Sequence, residues 1–62
     1  MNFLTEDDIK DILKLNNRKT KALMRTEGFP SIKIGQEYRV EEDDFYNWIK
    51  SVKEVKLDYT KL

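Results

Sequence analysis

The chain has no cysteine and no histidine. Disulfides, thiolate chemistry and the common zinc sites are therefore excluded. No apolar run exceeds a few residues, so nothing reads as a membrane span or a signal peptide. Glycine occurs twice and proline once, so the breaks stand out at Gly28, Pro30 and Gly35. The 62 residues make one domain. A domain of this size buries only about 60% of the surface its unfolded chain exposes. Such a core leaves no room for an enclosed substrate cavity. No nucleophile–base pair and no metal cluster is visible. The expectation is a cytoplasmic protein that is not an enzyme, with no cofactor, metal or small-molecule substrate.

Net charge is zero, but the charges are sorted along the chain. Residues 1–13 carry four acids against one lysine, and residues 40–62 six acids against four lysines. Between them, residues 14–39 carry seven cations against two acids. A local basic field matters more for binding than the sum. Within it, Asn16 is a good N-cap, and Thr20, Leu23 and Met24 follow at helical spacing as a short inward stripe. The opposite face would carry Asn17, Arg18, Lys19, Lys21, Ala22 and Arg25: four cations, no acid, and one small residue that would let a backbone come close. A helix of this kind fits a DNA major groove. A solvated surface helix is the plainer alternative.

Thr5-Glu6-Asp7-Asp8 reads as a helix start, with a capping threonine and acids at the positive end of the dipole. Ile9, Ile12 and Leu13 complete a stripe, so a first helix spans about Glu6 to Leu13, with Phe3-Leu4 as a short apolar entry. Only Lys14-Leu15 separates it from Asn16, which is the helix-turn-helix spacing. Gly28 would end the second helix, and Phe29-Pro30 prevents its continuation. Ser31 to Ile34 and Glu37 to Val40 then alternate around Gly35-Gln36, predicting a hairpin. Its inner face would hold Ile32, Ile34, Tyr38 and Val40, and its outer face Lys33 and Arg39. The acids Glu41 to Asp44 open a third helix rather than a metal site. That helix turns Phe45, Trp48, Ile49 and Val52 inward, with Trp48 as its main core residue. The predicted class is mainly α with a small β-hairpin.

Leu4-Thr5, Leu13-Lys14-Leu15-Asn16, Gly28-Phe29-Pro30, Ile34-Gly35, Tyr38-Arg39-Val40 and Asp44-Phe45-Tyr46-Asn47-Trp48-Ile49 together resemble the excisionase-type winged helix-turn-helix domain, a small relative of the MerR DNA-binding domain. The resemblance covers about Phe3 to Lys50. It implies that the second helix enters the major groove through Asn17, Arg18, Lys19, Lys21, Ala22 and Arg25. It also implies that the hairpin is a wing contacting DNA through Lys33, Gln36 and Arg39. The chain departs from the family pattern in having Lys14 where a turn glycine is usual and Asn16 where the capping serine stands. It also has Lys21 in place of a frequent aromatic, and Glu37 at the wing tip.

The function implied is sequence-specific binding of double-stranded DNA. The protein would be an excisionase, a recombination directionality factor of a phage or mobile element that assists an integrase, or alternatively a small transcriptional regulator of the same fold. The DNA-binding domain would span residues 1–52. In the tail, residues 53–62, the apolar residues read equally as a patch for an integrase or a second copy and as a segment folded back on the core.

Overall fold

The computed structural model describes residues 2–62. Three α-helices and a three-stranded antiparallel sheet pack into one α+β unit with a winged-helix-like layout. In chain order these are β1 (Phe3–Leu4), α1 (Glu6–Leu13), α2 (Asn17–Arg25), β2 (Ser31–Ile34), β3 (Glu37–Glu41), α3 (Glu42–Ser51) and a 3-10 turn at Tyr59–Lys61.

The first helix starts as its residues dictate. The Thr5 side chain accepts the Asp8 amide at 3.2 Å, and the Asp8 carboxylate accepts the Thr5 amide at 2.9 Å. Two otherwise orphaned donors are thereby satisfied. The helix closes at Lys14, which takes the left-handed conformation with φ 56° and ψ 46°. An L-residue there costs about 1–2 kcal/mol. The tight connection to α2 requires the conformation, so the lysine at this usual glycine position is held in glycine's geometry. Asn16 then caps α2, its side-chain oxygen accepting the Lys19 amide at 2.8 Å.

The second helix ends at Arg25, earlier than Gly28. Thr26 closes it, and the Phe29 amide donates to the Thr26 carbonyl across a tight turn. Gly28 sits inside that turn at φ 94°, so its role is to turn the chain and not to end the helix. Ser31 secures the exit by donating from Oγ to the Met24 carbonyl at 2.7 Å.

Two expectations about the sheet are corrected. Phe3-Leu4 is not merely an entry but a third strand, pairing Leu4 with Val40 and Phe3 with Glu41 to give the order β1-β3-β2. The hairpin faces also differ. Its two-residue turn, with Gly35 at φ 62°, sets Ile34 opposite Glu37, Lys33 opposite Tyr38 and Ile32 opposite Arg39. Side chains directly opposite share a face. Lys33 thus lies with Tyr38 and Val40, while Ile32 and Ile34 lie with Arg39 and are exposed.

The core is built from Leu4, Ile9, Leu23, Met24, Phe29, Val40 and Phe45, so β1, the three α-helices and β3 all contribute and β2 does not. In α3 the fully buried residue is Phe45, whereas Trp48 is half-buried at the edge of the core. Val52 lies beyond the helix as its C-cap. The acids before Phe45 serve the helix start, with Glu41 Oε1 accepting the Asp44 amide at 3.2 Å. Among the described residues, no helix is long and apolar enough to cross a membrane.

The packing does not stop at residue 52. Val55 and Leu57 lie against the core beside Leu13, Leu15 and Trp48. Truncation after Lys53 removes both, each half-buried residue being worth part of the about 1.5–3 kcal/mol of a fully buried one. A truncated chain should therefore melt at a clearly lower temperature in circular dichroism. An unchanged transition would show that the tail adds nothing to the fold.

Candidate nucleic-acid interface

The basic helix α2 carries its inward stripe as Thr20, Leu23 and Met24, all buried. Thr20 meets its burial by donating its hydroxyl hydrogen to the Asn16 carbonyl at 2.8 Å. By helical period, Asn17, Arg18, Lys21 and Arg25 share the opposite side. The first three are exposed and Arg25 is half-buried. Lys19 is exposed as well, but two residues before Lys21 it points to another side of the helix.

Ala22 overturns one expectation. It is fully buried and cannot face a groove. The reason lies in the row Arg18, Ala22, Thr26, spaced four apart and so aligned along one flank of α2. The tail runs beside this flank. The Asp58 amide donates to Thr26 Oγ1 at 3.2 Å, and that hydroxyl donates to the Ala22 carbonyl at 2.7 Å. At the other end of the row, the Arg18 guanidinium carbon lies 4.6 Å over the centre of the Tyr59 ring. The small residue thus sits between two positions that the tail touches, and it is closed to an outside backbone.

The arginine at the far end of the helix is held from the opposite direction. The Arg25 guanidinium lies 4.5 Å over the Tyr38 ring of the hairpin. Its Nη1 donates to the Lys21 carbonyl at 3.0 Å and sits 3.5 Å from the Glu6 carboxylate. The Lys33 ammonium approaches the same Tyr38 ring at 5.9 Å. The hairpin and α2 therefore present their cations around one shared aromatic.

The remaining hairpin positions divide. Lys33 and Gln36 are exposed. Arg39 is half-buried and pairs with Glu37 at 2.8 Å, while its Nη1 donates to the Tyr38 carbonyl, also at 2.8 Å. It stands on the face opposite Lys33, as the register requires. The site as found thus joins Asn17, Arg18, Lys21, Arg25 and Lys33, with Lys19 and Gln36 at its margins. Arg39 stands on the other face of the hairpin, paired with Glu37, and Ala22 lies beneath. Tyr38 and Tyr59 are additions that sequence reasoning missed. Tyr38 stood only among inner-face residues, and Tyr59 lay in the least patterned stretch.

An open polar groove of about 410 Å³ lies beside the site, lined among others by Glu6, Arg25, Tyr38 and Arg39. Compared with protein-family models, curated proteins and solved structures, the chain matches none of them.

The covered flank makes a direct forecast. Ala22→Leu places three further carbons where there is no free surface, and overpacking of this kind costs about 1–3 kcal/mol. Chemical denaturation should register a loss of that order. An Ala22→Leu chain as stable as the parent would mean that the tail yields without cost.

Proposed function

We propose that this chain is a sequence-specific DNA-binding protein of the winged helix-turn-helix kind. The observation that supports it most is the outer side of α2, where Asn17, Arg18, Lys21 and Arg25 stand together and the helix itself contributes no acid. In this reading α2 lies in the major groove, with its N-terminal residues nearest the base edges. The β2–β3 hairpin is the wing, and Lys33 and Gln36 reach the neighbouring backbone. Arginine and lysine can read guanine and asparagine adenine, so the face carries chemistry for both bases. Glu6 and Glu37 partly offset Arg25 and Arg39, which leaves Arg18, Lys19, Lys21 and Lys33 as the main phosphate partners.

The finer reading is an excisionase that binds near the attachment sites of a mobile element and assists its integrase. It is supported by the sequence resemblance, which runs through the turn at Lys14, the Gly28-Phe29-Pro30 break and the closing Phe45-Tyr46-Asn47-Trp48 run. The groove chemistry serves a small transcriptional regulator equally well.

Two measurements test these levels separately. Four phosphate contacts give a slope of log affinity against log salt of about −3 to −4 on duplex DNA. A flat salt response would reject the interface. In an excision reaction with the integrase of the same element, adding the protein should raise the yield of excised product. Unchanged yield together with intact DNA binding would leave the regulator.

A further inference from the structure

The tail reaches α2 at the first-turn residue Arg18, and its anchoring there is specific. Asp58 is tied through its amide to Thr26 Oγ1. Its own carboxylate accepts the Thr60 amide at 2.9 Å, which shapes the 3-10 turn carrying Tyr59. The turn packs on α2, and the result is an aromatic ring 4.6 Å from the Arg18 guanidinium carbon. Both residues remain partly open to solvent, Tyr59 at 38%.

We infer that Tyr59 is a positioning residue for Arg18, so that the C-terminal turn belongs to the DNA-reading apparatus. The inference rests on the DNA-binding reading above. The N–H donors of a guanidinium project in its own plane, and a ring beside it attracts the cation without offering a carboxylate or carbonyl to those donors. The Tyr59 ring, 4.6 Å from the guanidinium carbon, thus restrains Arg18 from one side and leaves donors for a base edge or phosphate. Without the ring, the long side chain would sample many rotamers and lose that freedom on binding. Immobilising such a side chain at an interface weakens affinity by about two- to tenfold, and this is what the tyrosine removes in advance. The contact lies at the end of α2 where base reading is expected, so it should favour the specific site over random DNA. Tyr38 restrains Arg25 in the same manner at the other end, but that arginine is also tied to Glu6.

The test is a double-mutant cycle on a short fluorescent duplex recovered by selection from a randomised pool, with the unselected pool as the non-specific probe. Tyr59→Leu should weaken binding to the selected duplex by about two- to tenfold and change the pool little. Tyr59→Phe, which keeps the ring, should bind as the parent does. In an Arg18→Ala background, Tyr59→Leu should have no further effect. Thermal melts of each variant detect any loss of fold, and the Arg18→Ala background subtracts it. Parent-like or tighter binding by Tyr59→Leu would overturn the inference, as would an equal loss with Arg18 absent. Failure of the parent chain to bind either DNA would instead overturn the DNA-binding reading, and this inference with it.

Discussion

The Phe45 ring is fully enclosed, edge-on to Phe29 at 6.1 Å and stacked near Trp48 at 6.4 Å, while Phe29 meets Trp48 at 4.8 Å. This cluster joins α3 to the segment leaving α2, and most of the remaining structure depends on that junction. Such ring pairs add about 0.5–1.5 kcal/mol beyond the area they bury. In a domain with so little interior, those terms are a large share of the net stability. Phe29 can enter the cluster only because the turn with Gly28 reverses the chain directly after α2. Val40 then brings the sheet onto the same core, and Leu4 closes it from β1.

A second constraint follows from size. With no second layer available, α2 is held by whatever lies next to it: α1 on its inner side, the hairpin at its C-terminal end and the tail along the Arg18–Ala22–Thr26 flank. Its two outward arginines are consequently braced by tyrosines from two different parts of the chain. The cations that would bind a ligand are also partners in the fold. An ion pair as exposed as Arg39–Glu37 contributes only about 0–1 kcal/mol, so it is not what holds the hairpin in place.

Local chemistry determined most of the element order. The Thr5 and Asn16 caps, the acids at two helix starts and the Gly35 turn each concern residues within a few positions of one another, and each reads directly from the chain. The basic side of α2 was legible for the same reason, since helical period alone groups Asn17, Arg18, Lys21 and Arg25. The hairpin faces were legible in principle as well. A two-residue turn pairs Ile34 with Glu37, and alternation then sends Ile32 and Ile34 to the side of Arg39, against the pull of hydrophobicity.

Tertiary structure decided what depends on segments distant in sequence. A two-residue strand such as Phe3-Leu4 has no periodicity to detect and exists only because β3 offers it an edge. Ala22 looked like a groove residue because periodicity cannot show that residues 55–60 return to cover that flank. Trp48 and Phe45 share one stripe, and only packing against Phe29 determined which of them is enclosed. The tail has no regular structure over most of its length, so its sequence could not say whether its apolar residues fold back on the core. Its conformation is set by contacts with Thr26, Arg18 and the core, and those contacts lie more than thirty positions away for Asp58 and Thr26.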